Sequence, residues 1–145
     1  MNSKYKVFKF IKNKFENTDD LISIEEPLEI SLKYQDQAKW ITNSLSITMR
    51  TPGHDKDLAT GFLFTESIIR NAEDIKSIDI IGETDQESGS KNIVRVAIEP
   101  SVEIDLDTLT RHFYTTSSCG VCGKASIEAI YNKGCQEIKS EFSIS

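Results

Sequence analysis

Long apolar runs are missing from this 145-residue chain. Nothing in it approaches the ~20 consecutive apolar residues of a membrane-spanning helix. Residues 1–15 also lack the apolar stretch and small-residue cleavage site of a secretory signal. The expectation is a cytoplasmic protein with no membrane among its partners. Cysteine is scarce and odd in number: three cysteines do not make a disulfide framework, and in a cytoplasmic chain they point to chemistry or to metal. Positive charge is in deficit, with 17 basic against 23 acidic side chains and a formal net charge of −6. That balance argues against nucleic acid as the main partner, because phosphate binding wants a basic field. What is present suffices for a core, since 38% hydrophobic content in a chain of this length supports one domain of ordinary size.

The charge is unevenly spread. Lys4, Lys6, Lys9, Lys12 and Lys14 all precede the first acidic residue, Glu16, so residues 1–20 read as a basic leader. A solvated, frayed terminus is its expected form, with docking to an acidic partner or anionic surface the functional alternative. Residues 21–145 are expected to form the domain. Leu21 to Leu32 reads as a strand, with Ile22, Ile24, Leu28, Ile30 and Leu32 in a period of two and Pro27 marking an edge or bent strand. Lys33 to Lys39 reads as a connection to a second strand, Trp40 to Met49, where Leu45, Ile47 and Met49 alternate with Ser46 and Thr48.

Thr51-Pro52-Gly53-His54-Asp55 should turn the chain into a helix, with positive φ at the glycine and Asp55 or His54 as cap. Leu58, Ala59, Phe62, Leu63, Ile68 and Ile69 recur at helical spacing and predict one buried face. Gly61 inside that helix costs about 1 kcal/mol relative to alanine and suggests a close backbone approach. Asp57 and Glu66 fall outside the stripe and read as solvated. After a polar link from Asn71 come a strand around Ile78 to Ile81, a loop from Gly82 to Lys91 and an alternating strand, Val94 to Ile98, ended by Pro100. A short helix is expected over Asp105 to Arg111.

The chemistry concentrates in Ser117-Ser118-Cys119-Gly120-Val121-Cys122-Gly123-Lys124. The helical spacing of Ile127, Ile130 and Tyr131 puts both sulfurs at or near a helix start. Unpaired N–H groups and the positive end of the peptide dipole favour a thiolate there, and Lys124 adds a cation. Such surroundings lower a cysteine pKa from about 8.5 to roughly 3.5–7.5, which makes a nucleophile near neutral pH. Gly120 and Gly123 leave the thiols uncovered for a partner. Cys135, after Gly134, reads as a small apolar filler at a helix end.

Four chemistries compete for the cysteine pair. A thioredoxin-like oxidoreductase normally carries its pair early, in a βαβ pattern, whereas this pair follows several strands. A structural zinc site needs two further ligands, and His54, His112 and Cys135 supply no second paired spacing. A zinc deaminase needs an upstream His-x-Glu, which neither His54-Asp55-Lys56 nor His112-Phe113-Tyr114 provides. No metal is therefore assigned. The fourth is sulfur transfer, in which one thiolate accepts a sulfane sulfur as persulfide and hands it on, with the neighbouring thiol able to release or protect it.

Three stretches in order carry a resemblance: Glu25-Glu26-Pro27-Leu28-Glu29-Ile30; then Arg50-Thr51-Pro52-Gly53 with Leu58-Ala59-Thr60-Gly61-Phe62-Leu63 and Glu66; then the cysteine segment. From about Leu21 onward the chain resembles the FdhD/NarQ family of formate dehydrogenase accessory sulfurtransferases. The resemblance implies an α/β (α+β) fold in which a small N-terminal sheet-and-helix part leads into a cytidine-deaminase-like α/β/α part. It implies a carrier that accepts sulfur from a cysteine desulfurase and passes it to the molybdenum cofactor, bis-molybdopterin guanine dinucleotide, for the formate dehydrogenase catalytic subunit. Cys119 matches the cysteine expected to hold the persulfide and Cys122 its partner. Two positions depart from the family pattern: His54 replaces a small acidic or amide residue, and Ser67 replaces the glycine that follows the helix glutamate. The family also continues into a segment with Thr-Gly-Gly and a nearby histidine, associated with the guanine end of the cofactor. No such motif precedes Ser145. The expectation is an N-terminal half whose cofactor-binding residues lie beyond it, with a truncated sheet edge inviting association, for example as a homodimer. The alternatives to the sulfur carrier are a non-catalytic partner-binding fragment and a zinc or redox module built on the cysteine pair.

Overall fold

The computed structural model describes residues 2–84 and 89–104. They form mixed α and β structure with strands predominating. A two-stranded antiparallel ribbon comprises β1 (Asn2–Ile11) and β2 (Lys14–Ser23). A four-stranded sheet follows in the order β4-β3-β6-β5, from β3 (Glu26–Asp36), β4 (Lys39–Arg50), β5 (Ile75–Thr84) and β6 (Lys91–Ile98). Between β4 and β5 lie the helix α1 (Asp55–Thr65) and a 3-10 turn over Ala72–Asp74. The short helix expected over 105–111 and the helix after the cysteine loop lie outside the described residues.

The strand pattern of β3 explains its central place. Leu28, Ile30, Leu32 and Tyr34 alternate along it and are all buried. They meet Val94, Val96 and Ile98 of β6, which runs parallel to β3, with Ile30 opposite Val94 and Leu32 opposite Val96. Parallel neighbours need a crossover, and β4, α1 and β5 supply it. Pro27 does not put β3 at an edge, the first of the two forms expected of it; β3 is an inner strand. Pairing with β6 begins only at Glu29, so the proline sits at the strand start with β4 as its one neighbour and no β6 ladder to interrupt.

Four further expectations need correction. The chain does not form one strand from Leu21 to Leu32; β2 ends at Ser23 and β3 starts at Glu26. The polar connection is only Gln37 and Ala38, both left-handed at φ 45° and 65°, because β3 and β4 keep pairing to Asp36 and Lys39. Two central residues of positive φ match the right-handed twist of a hairpin. Leu45, Ile47 and Met49 do not share one face: the register shifts between Ile30 and Ser31, which pair with Ser46 and Ser44 and leave Leu45 as a bulge. Leu45 then joins the core cluster, while Ile47 is buried opposite Glu29 outside that cluster and Met49 is exposed. The basic leader, finally, is a hairpin closed at Lys12 and Asn13, φ 48° and 60°, with Phe10 and Phe15 rings 4.9 Å apart. Lys9 pairs with Asp20 at 2.9 Å, and Phe8, Phe10 and Phe15 are exposed.

Helix α1 closes the core with Ala59 and Leu63, both fully buried. Full burial of a leucine contributes roughly 1.5–3 kcal/mol of transfer free energy. The helical stripe is narrower than its sequence pattern, since Leu58 is exposed and Ile68 and Ile69 lie past the helix end, where they still reach the core. The C-terminus carries a Schellman arrangement: Ile68 N–H donates to the Leu63 carbonyl at 2.9 Å and Ser67 N–H to the Phe64 carbonyl at 3.0 Å. Ser67 sits in the left-handed region at φ 60° to make this turn. Among the described residues nothing approaches the place where a Cβ of Gly61 would stand, so no close approach there explains it.

Candidate functional site

Cys119 and Cys122 lie outside the described residues, as do Lys124, His112 and Cys135. The described residues contain the other two stretches that carried the resemblance, and the fold brings these together. Glu26, at the first position of β3, stands directly opposite Arg50, the last residue of β4. Arg50 Nη1 donates to Glu26 Oε2 at 3.0 Å. The chain then turns through Thr51-Pro52-Gly53, with Gly53 at φ 134°, and Asp55 opens α1. Arg50 Nε and Nη2 donate to Asp55 Oδ1 and Oδ2 at 3.0 and 3.2 Å, a two-pronged contact that a planar guanidinium is shaped to make.

The start of β6 completes the cluster. Arg50 Nη2 also donates to the Lys91 carbonyl at 3.3 Å and to Asn92 Oδ1 at 3.0 Å, while Ser90 Oγ donates to Glu26 Oε2 at 2.7 Å. The Arg50, Glu26 and Asp55 side chains are each more than nine-tenths buried. Removing charges from water is costly, and the cluster offsets that cost with a dense set of hydrogen bonds. One cation faces two carboxylates, so Asp55 carries surplus negative charge into the first turn of α1, where the positive end of the helix dipole receives it. Arg50 is a clamp joining three strands and a helix, with each of its three side-chain nitrogens bonded inside the protein.

In the sequence Glu26 and Arg50 stand in two separate stretches, with nothing in either to pair them. A usable signal was present: an arginine at the end of one hairpin strand and an acid at the start of the other. Neither His54 nor Asp55 caps α1 as expected; His54 occupies the cap position without a side-chain cap bond. Its Nδ1 lies 3.4 Å from Asp57 Oδ2, and both side chains are solvated. Among the described residues no three His, Cys, Asp or Glu side chains group to hold a metal ion, and no helix is long and apolar enough to cross a membrane.

Comparison with known proteins reaches beyond the described residues. The model of the FdhD/NarQ family matches residues 23–145, so the match takes in the Arg50 cluster and the cysteine segment and starts at the last residue of β2. Among curated proteins, the chain is 45% identical over 112 residues to the sulfur carrier protein FdhD of Streptomyces coelicolor, covering 77% of this chain and 37% of that protein. It is 37% identical over 115 residues to the protein of that name from Mycobacterium tuberculosis, covering 77% of this chain and 39% of the relative. For the one from Sulfurisphaera tokodaii the identity is 37% over 123 residues, covering 84% of this chain and 41% of the relative. The chain thus spans about two-fifths of the length of these relatives. No solved structure matches. With a family match over most of its length and relatives up to 45% identical, the chain belongs to the FdhD/NarQ family.

Proposed function

We propose that this chain is a sulfur carrier in which Cys119 receives sulfane sulfur from a cysteine desulfurase and passes it on to the molybdenum cofactor that serves a formate dehydrogenase. The observation that carries this reading is that the family match continues through Cys119-Gly120-Val121-Cys122. The relatives' shared name, sulfur carrier protein FdhD, agrees with it.

In the loading step, the Cys119 thiolate attacks the outer sulfur of the desulfurase persulfide. The S–S bond breaks, the desulfurase thiolate leaves, and the sulfane sulfur ends on Cys119 as a new persulfide. In delivery, the Cys122 thiolate attacks the inner sulfur of that persulfide. A Cys119–Cys122 disulfide forms and the outer sulfur leaves at the hydrosulfide level for the molybdenum centre, which is substrate here. Two thiols have supplied the two electrons, and a cellular dithiol restores them by exchange. Lys124 supplies a cation that steadies both the thiolate and an anionic acceptor. The Arg50 cluster acts as scaffold, fixing where α1 leaves the sheet.

Mass spectrometry of the intact chain and its peptides, after incubation with a cysteine desulfurase and cysteine, tests the loading step. The expected result is a gain of one sulfur atom on the Cys119 peptide that a reductant removes and that Cys119→Ala abolishes. No gain, with the desulfurase still bound, would make the chain a docking module in place of a carrier.

A further inference from the structure

Strand β6 carries an arginine whose Nε has no hydrogen-bond partner among the described residues. Val94, Val96 and Ile98 point from β6 into the core, so Arg95 and Ala97, between them, belong to the opposite face. Register places Asp79 of β5 opposite Arg95, Ser77 opposite Ala97, and Lys33 of β3 opposite Ala97 on the other side. Lys33, Ser77, Asp79 and Arg95 therefore share one face of three adjacent strands. They line a cleft of about 510 Å³ that Lys56, from the first turn of α1, also borders.

Arg95 Nε is buried and has no hydrogen-bond partner among the described residues. A donor left in that state costs about 1–3 kcal/mol, more when charged, and calls for an explanation. The nearest internal answer would be Asp79, its neighbour in register. Asp79 instead accepts a hydrogen bond from Ser77 Oγ at 3.2 Å and forms no ion pair with Arg95 among the described residues. Lys33 is held over the Trp40 ring, its Nζ 5.3 Å from the centroid, and Lys76 approaches the same ring at 5.4 Å. A cation placed this way keeps its three donors for another acceptor. Lys33, Lys56 and Arg95 against Asp79 leave two positive charges in the cleft, on a chain that is acidic overall.

We propose that this cleft is a binding site for a small dianionic oxyanion of the phosphate class, inorganic phosphate or the phosphate group of a monoester. Arg95 supplies a planar fork that matches a tetrahedral oxyanion, and Lys33 supplies a mobile point charge. Two surplus charges match a dianion and exceed what a single carboxylate needs. Asp79 tunes the site by weakening it, which makes its removal informative.

The test is an NMR titration of the full chain with inorganic phosphate at constant ionic strength, with sodium acetate as the comparison. Saturable shifts confined to the neighbourhood of Lys33, Ser77, Asp79 and Arg95, larger with phosphate than with acetate, are expected. Arg95→Gln should weaken binding by about tenfold or more and Asp79→Asn should strengthen it several-fold. Lys33→Gln should weaken binding as well and replaces the arginine variant if that one fails to fold. Shifts that do not saturate, or that acetate reproduces, would overturn the proposal, as would unchanged affinity in the substituted chains.

Discussion

Arg50 meets Glu26 across the β3–β4 hairpin at 3.0 Å and, through its other edge, holds both oxygens of Asp55. The two carboxylates would face each other uncompensated without the guanidinium. Arg50→Met should therefore cost about 3–5 kcal/mol, the range for breaking a buried pair by removing one partner. Glu26→Gln, which keeps an acceptor for Ser90 and Arg50, should cost about 1–3 kcal/mol. Urea denaturation midpoints would read both losses. A loss below about 1 kcal/mol in Arg50→Met would mean that water or a rearranged Asn92 replaces the guanidinium.

Ser67 supplies a second prediction. It holds the left-handed position that ends α1, and a Cβ there costs about 1–2 kcal/mol relative to glycine. Part of the gain from removing it returns as unfolded-chain entropy. Ser67→Gly should raise stability by roughly 0.5–1 kcal/mol and the Tm by about 2–4 °C in a chain of this size. The Ile68 to Leu63 hydrogen bond and the burial of both side chains stay as they are. A Tm that falls on this substitution would show that the serine hydroxyl, not the backbone turn, holds the helix end.

These two residues also show what was legible in the sequence. The departure at Ser67 was visible in the resemblance as a serine where glycine is expected, and φ 60° is a conformation that glycine adopts without steric cost. The core positions of β3 and β6 were legible because Leu28, Ile30 and Leu32, and Val94, Val96 and Ile98, recur at every second residue and are all buried. The bulge at Leu45 was not, since Leu45, Ser46, Ile47, Thr48 and Met49 alternate without a break and only the pairing with Ser31 and Ile30 reveals the extra residue. The turn at Gln37 and Ala38 was hidden for a local reason: neither is glycine or asparagine, the residues that announce positive φ. Arg50 and Glu26 are close in register and 24 positions apart in sequence, beyond the reach of any periodicity. The cysteine pair was the reverse case, conspicuous in sequence and outside the described residues.

Acid stability should report on Asp74. Backbone N–H groups of Arg70 and Asn71 donate to its Oδ2 at 2.7 and 3.0 Å and hold its carboxyl below the usual aspartate value. A lowered folded-state pKa means that the folded chain binds fewer protons, so the stabilisation is present above the ordinary value near 4 and is lost as pH falls through the folded value. Asp74→Asn keeps an acceptor and removes the charge. The Tm difference between the two chains should be largest at neutral pH and should narrow below about pH 4. A gap that persists unchanged to about pH 2 would mean that charge contributes nothing at this turn.

Cys122 gives the functional prediction that separates loading from delivery under the proposed relay. Loading needs only the Cys119 thiolate, because the leaving group is the desulfurase thiol. Delivery at the hydrosulfide level needs a second thiol to attack the inner sulfur, and Cys122, three positions on, is the nearest in sequence. Cys122→Ser should therefore load as the parent chain does and then retain its persulfide, so that hydrosulfide release without added thiol falls by about tenfold or more. The parent chain should accumulate a Cys119–Cys122 disulfide after release, visible as a loss of two hydrogens on the joined peptide. Equal release from both chains, with no such disulfide, would remove Cys122 from delivery and leave an external acceptor to take the sulfur directly from Cys119.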